Sequence, residues 1–311
     1  MKTLLAALTL VSLACPYAAA DSGLTAAPVL NRPVGARSSA MGRAFAAVPG
    51  DPEGLMYNPA GLAFITAPRP YAAYMNGLVG GYGLVAAPVP VKGFVITPAF
   101  LYYNSGSMGL NLSDGTSGNV TAELDQVPML SAAYRPIPRL AVGATVKRAS
   151  IELAEAASAA SVNFDAGAMY LIGHGLSAGA SLMNAGQGMK FEDASDPAPR
   201  TLRAGLAWKL VPGKPNFMDP SADITYSEFI VTTDWSKTVK EDSRLQSGLE
   251  TNMALPYGVT LSLRGGYLFS RDEEGATFGF GIKRGRWTFD FGFETAGELG
   301  TRRPVSLSYQ F

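Results

Sequence analysis

The sequence predicts an all-β fold: a transmembrane antiparallel up-and-down β-barrel of about 14 strands, closed around a small N-terminal plug segment. Three observations predict it. Apolar and polar residues alternate with a period of two along most of the chain, as strands with one greasy and one wet face require. The charged fraction is only 16%, while Gly (35) and Pro (21) are plentiful, a composition that excludes a coiled coil and argues against disorder. Connections between the alternating runs are short at one end and longer and more polar at the other, the asymmetry of outer-membrane barrels.

The elements follow in chain order. Lys2, the apolar run Leu4 to Ala14 and Ala18-Ala19-Ala20 read as a secretory leader over residues 1–20, cleaved after Ala20. The lone Cys15 falls inside it, so the mature chain is expected to start at Asp21 without cysteine. Residues 21–63 form the plug: Gly and Ala at 35, 36, 40, 42, 44, 46 and 47 leave little bulk, as a segment folded into a narrow lumen needs. Within it Asp51 and Pro52 suit a helix N-cap and first turn, ended by Asn58-Pro59.

Residues 64–311 make the barrel, with strands expected at 69–77, 81–89, 93–104, 121–135, 139–153, 160–172, 176–184, 200–210, 224–236, 244–254, 258–270, 276–284, 287–295 and 302–311. The run 71–91 carries no charge, yet Gly77, Gly80, Gly81, Gly83, Pro88 and Pro90 exclude a membrane helix and leave two strands joined at Gly80-Gly81. The clearest alternation is Trp287, Phe289, Phe291 and Phe293 against Thr288, Asp290, Gly292 and Glu294. Tight connections at Pro136-Ile137-Pro138, Gly173-His174-Gly175 and Gly285-Arg286 alternate with long ones at 105–120, 185–199 and 236–243; only 211–222 breaks the rule. Trp208, Trp235 and Trp287 fall at strand ends on the expected outer face, where indoles favour the headgroup boundary.

Several chemistries are absent. Formal charge balances at 25 against 25, which gives no basic surface for nucleic acid. One Cys and one His exclude a disulfide scaffold, a Cys/His zinc site and a Cys/His dyad, and no metal or cofactor is expected. His174 stands between glycines in a short turn, away from any acid or Ser, so the chain is not read as an enzyme. The acidic pieces Glu192-Asp193 and Asp272-Glu273-Glu274 read as solvated loop surface.

The lumen face is uneven. In later strands it carries Lys147, Asp165, Arg203, Lys209, Asp234, Glu250, Arg264, Lys283, Asp290 and Glu294, of both signs. These either pair across a packed interior or line a watery pore. In the third strand both faces are apolar: Phe94, Ile96, Phe100 and Tyr102 on one, Val95, Ala99, Leu101 and Tyr103 on the other. Phe94, Phe100 and Tyr102 are the candidates for an inward wall that takes a lipophilic ligand, and such a patch suits simple plug packing equally well.

Residues 35–63 carry a more specific signal, Gly35-Ala36-Arg37 followed by Met41-Gly42, then Asn58-Pro59-Ala60-Gly61. The segment resembles the N-terminal part of the PorV/PorQ proteins and, more distantly, of the FadL-type fatty-acid channels. Arg43 departs from the pattern, standing where these families often have a second Gly. The terminal Tyr309-Gln310-Phe311 resembles the aromatic end by which barrel-assembly machinery selects its clients. What the resemblance implies is a bacterial outer-membrane protein with lipid and the assembly machinery as partners, whose plug region includes Arg37, Met41, Asn58, Pro59, Ala60 and Gly61. Two functions follow from it: passive transport of a hydrophobic small molecule, or a PorV-like component of a type IX-like secretion system that binds exported proteins.

Overall fold

The computed structural model describes residues 25–32, 34–77, 79–111, 117–190, 195–211, 225–269, 275–295 and 301–311. The expected leader with Cys15, the connection 212–222 and the acidic pieces Glu192-Asp193 and Asp272-Glu273-Glu274 lie outside these residues.

Fourteen antiparallel strands close into one barrel. They are β1 (Tyr71–Asn76), β2 (Gly81–Ala86), β3 (Phe94–Asn104), β4 (Glu123–Ile137), β5 (Leu140–Leu153), β6 (Ala157–Gly173), β7 (Leu176–Gly186), β8 (Thr201–Leu210), β9 (Thr225–Thr238), β10 (Ser243–Leu255), β11 (Val259–Phe269), β12 (Ala276–Arg284), β13 (Trp287–Thr295) and β14 (Val305–Tyr309). Each pairs with its neighbours in sequence, and β14 closes on β1 with Tyr71 opposite Ser308 and Tyr74 opposite Val305. Closure leaves no sheet edge, so hydrocarbon meets no unpaired backbone group along the wall.

The alternation sets the two faces. Leu202, Leu206, Trp208, Val231, Trp235 and Leu249 stand exposed outside, while Arg203, Asp234, Gln246 and Glu250 point inward. An exterior of this composition is stable against lipid and unfavourable in water. Among the described residues no helix is long and apolar enough to cross a membrane.

The strand expected over 81–89 is broken. Strand β2 ends at Ala86, and Val89–Val91 folds back separately onto Phe94 to Ile96. Pro88 and Pro90 lack the N–H that a continuous ladder needs, and Lys92 (φ 47) with Gly93 (φ 89) makes the tight turn. At the same end Gly173 (φ 122), His174 (φ 51) and Gly175 (φ 81) turn β6 into β7. At the other end two long connections carry small hairpins of their own, Ser107–Asn111 with Ser117–Thr121 and Met189–Lys190 with Ser195–Asp196.

Residues 25–65 fold inside the barrel as short turns: 3-10 turns at Pro28–Asn31, Pro52–Met56 and Pro59–Phe64, and one helix α1 (Ala36–Ala40). The Asp51 side chain caps the Pro52 turn by accepting from Glu53 N–H. That turn ends at Met56, and Asn58 then caps a further turn over Pro59–Phe64, which the sequence pattern read only as a terminator. Helix α1 packs on β11, β12 and β13, whereas the Pro59 turn packs on β4, β5 and β6.

Candidate functional site: the plugged lumen

The plug sits where the wall gives up side chains. Four pairs of glycines face each other across neighbouring strands on the inner face: Gly143 and Gly167, Gly179 and Gly205, Gly248 and Gly266, Gly279 and Gly292. A Cβ at Gly266 would overlap the backbone of Met41 and Gly42, one at Gly248 the Met41 carbonyl, and one at Gly179 the Ala46 carbonyl. A Cβ at Gly143 would stand 2.5 Å from the Pro59 carbonyl carbon, and one at Gly167 would overlap the Asn58 side chain. The wall and the plug thus approach backbone to backbone at Gly143, Gly179, Gly248, Gly266 and Gly292. Sequence reasoning missed these pairs, although each glycine falls mid-strand on the inward phase, which is a readable signal.

The motif residues are brought together as docking points. Arg37 donates from Nε and Nη2 to the two oxygens of Glu250 (2.8 and 2.7 Å) and from Nη1 to Asp51 (2.8 Å). Glu250 also receives Arg264 Nε at 2.6 Å, and Arg264 reaches Asp290 at 2.8 Å. Two guanidiniums and three carboxylates therefore form one buried chain through plug, β10, β11 and β13. Such a chain is tolerated in low dielectric because the opposite charges neutralise one another with fork geometry.

Asn58 Oδ1 accepts from Ala60 N–H, while its Nδ2 donates to the carbonyls of Ala46 (2.8 Å) and Ala168 (3.0 Å), tying the plug to itself and to β6. Pro59 and Ala60 fill the space above Gly143, a Cβ at Gly61 would stand 3.1 Å from the Val48 carbonyl oxygen and 3.2 Å from Met169 Cε, and Met41 lies fully buried over Gly248. Glu53, which the sequence did not single out, accepts from Arg37 N–H, Ser38 N–H and the Tyr71 hydroxyl at 3.2, 2.7 and 2.8 Å. It thereby caps α1 and links it to β1. Burial and the nearby Asp51 carboxylate push Glu53 up to about 7, and burial pushes the Tyr57 hydroxyl up to about 12.

Arg43 explains its own departure from the motif. It adopts φ 62, a left-handed conformation in which Gly carries no steric penalty, and it holds Glu294 at 2.6 Å. A buried ion pair here offsets the cost of the backbone conformation. On the side of the long connections, Arg43 lines a narrow cleft of about 30 Å³ together with Arg32, Tyr57, Arg203, Arg244 and Gln246, room for about one water.

The aromatic candidates of β3 face the other way. Phe94, Phe100 and Tyr102 stand on the exposed outer surface, and Phe100 borders a 660 Å³ apolar groove with Val85, Trp287, Leu307 and Tyr309 on the outside of the wall. The expected inward wall belongs instead to Val95, Leu101 and Tyr103, with Met75, Leu84, Val127 and Met129 beside them. These are covered by Val34, Leu55, Leu62 and Ile65 of the plug. With both faces apolar, alternation alone does not choose between them. At the chain's end Tyr309 packs edge-on against Trp287 (4.7 Å) and Phe311 (5.0 Å) at the short-turn rim.

No family model matches the sequence, and no curated protein matches it significantly. Solved structures share the fold. The chain is similar to the Pseudomonas putida toluene transporter TodX (TM-score 0.61, 11% identity, covering 89% of this chain and 98% of that one). It is also similar to the CymD monoaromatic hydrocarbon channel (TM-score 0.57, 12% identity, 89% and 97%) and to a Pseudomonas aeruginosa FadL homologue (TM-score 0.53, 12% identity, 89% and 98%).

Proposed function

We propose that the protein is a passive channel for an uncharged or weakly polar hydrophobic small molecule in the bacterial outer membrane, with the short turns and the C-terminus on the periplasmic side. The observation that carries this reading is how the lumen is closed. A barrel of about 8 strands is just filled by its own wall side chains, and a wider one leaves a lumen that stays open or is filled by something else. Here the wall is stripped to paired glycines so that a separate segment, covalently attached at one end of β1, fills it instead. A closure made from a distinct segment is one that a local rearrangement can open. The apolar exterior and the aromatic rim support placement in a membrane, and three structures of the same fold bear the names of hydrophobic transporters or of a FadL homologue.

Liposomes holding the full chain are expected to take up toluene or a long-chain acid faster than empty liposomes. Equal rates remove the channel reading. One observation favours the PorV-like alternative, a barrel that binds exported proteins: the plug is pinned by buried ion pairs on two strands at once, Arg37 to Glu250 and Arg43 to Glu294. Co-purification of secreted proteins or a large translocon, without solute flux, distinguishes that function.

A further inference from the structure

Along the inner face of β8 the side chains form a ladder that runs through the plug. Arg203 lines the narrow cleft on the long-connection side, Gly205 faces Ala46, and Ala207 and Lys209 line a second cavity on the short-turn side. This second cavity has a volume of about 440 Å³. Its walls are largely apolar, with Val48 of the plug as ceiling and Leu171, Leu176, Ala207 and Ile230 around it. The charged groups at its boundary are already paired. Lys209 is bonded to Glu228 at the mouth, and Arg37 in the ceiling is bonded to Asp51 and Glu250. An apolar cavity of about 150 Å³ is enough to hold benzene, and ligand pockets begin at about 300 Å³.

We infer that this cavity is a solute-binding station on the short-turn side of the plug, selective for an uncharged hydrophobic molecule about the size of one or two rings. The inference rests on the channel reading and adds where the solute waits and what it is. Neutrality follows from the paired charges: a carboxylate or ammonium entering here would lose its hydration without finding an unpaired charge among the described residues that line it. A neutral ring loses only apolar contact with water, which favours entry. The plug layer Phe45 to Val48 lines the station through Val48. That layer is pinned by Asp234, which accepts from Phe45 and Ala46 N–H at 2.8 Å each, and by the Ser177 hydroxyl, which donates to the Ala47 carbonyl at 2.7 Å.

The test uses the full chain. Crystals soaked with 4-bromotoluene and measured at the bromine edge should show an anomalous peak between Val48 and Ile230, and crystals soaked with 4-bromobenzoate should show none there. Bromine found only elsewhere, or the benzoate occupying the same place, overturns the inference whether or not the protein conducts. In liposomes, Ile230→Trp and, as a milder filling, Ala207→Leu should lower toluene uptake by about tenfold, the loss expected when about 1.4 kcal/mol of binding is removed. Folding of each variant is checked by heat-modifiable gel mobility. Filled variants that fold and still conduct at the unsubstituted rate overturn the station while leaving the channel standing. An unsubstituted protein that does not conduct removes the channel reading, and the bromine map then decides the station alone.

Discussion

The plug meets two unlike walls. On the side of β1 to β5 it is held as a core is held, by Leu55, Leu62 and Ile65 against Leu84, Leu101, Val127 and Met129. On the side of β10 to β13 it is held by directed bonds, Arg37 to Glu250 and Arg43 to Glu294, while Arg264 joins Glu250 to Asp290 within the wall. Apolar contact stabilises in proportion to area and tolerates sliding, whereas fork-shaped ion pairs fix register. The greasy wall keeps the segment inside the barrel; the charged wall decides where it sits.

The largest expected effect lies on the glycine lining that both walls share. Gly266→Val places a side chain into the backbone of Met41 and Gly42, where nothing flexible can give way. Its neighbour Gly265 points to the other face, and a Cβ there meets only the Thr277 carbonyl at 4.0 Å. The first variant is expected to assemble with the plug expelled, or not to assemble. The second should fold like the unsubstituted protein. Limited proteolysis of the plug together with gel mobility separates these outcomes, and equal behaviour of the pair would break the claim that wall and plug touch through backbone.

Next in size is removal of the charge that organises the directed wall. Glu250→Gln strands Arg37 and Arg264 in the interior, and losing one partner of a buried pair costs about 3–5 kcal/mol. Leu101→Ala on the greasy wall opens a gap and costs about 2–5 kcal/mol, toward the lower figure where plug side chains settle into it. Denaturant midpoints rank the two. The comparison is sharpened by mobility: the glutamine variant is expected to expose the plug to protease before the barrel unfolds, while the alanine variant lowers both together.

Much of this was legible in the residues. Alternation placed the fourteen strands, and it placed Asp234, Glu250, Arg264 and Asp290 on the inner face, because a period of two survives without knowledge of any partner. It failed at β3, where Phe94, Phe100 and Tyr102 compete with Val95, Leu101 and Tyr103 and only the plug decides which set turns inward. The motif marked Arg37 and Asn58 but not their partners, since Glu250 is 213 residues from Arg37 and Ala168 is 110 from Asn58. The glycine pairs stayed hidden for the same reason: each is a property of register between two strands, not of either strand alone. The expected short helix after Asp51 became two capped turns, because Asn58 acts as a second N-cap as well as a terminator.

The smallest expected effect is in pH, and it belongs to a carboxylate that links the two walls through α1. Glu53 is bonded to Tyr71 on β1 and to the first turn of α1, which itself rests on β11 to β13. Burial and Asp51 raise it from an ordinary 4.5 to about 7. The docked plug therefore holds a proton that the released plug does not hold between those values. Its contribution to docking is fully present below about pH 4.5, declines above that, and is lost as pH rises through 7. The bonds from Ser38 and Arg37 N–H favour the ionised form and limit how far the value rises. Protease access to the plug should accordingly be lower at pH 5 than at pH 8, and Glu53→Gln should flatten the difference. A plug that tightens between pH 5 and pH 8 overturns the assignment to Glu53, because Asp51, which Arg37 and Arg69 hold below the usual carboxylate value against the opposing effect of burial, stays ionised across that range and adds no slope.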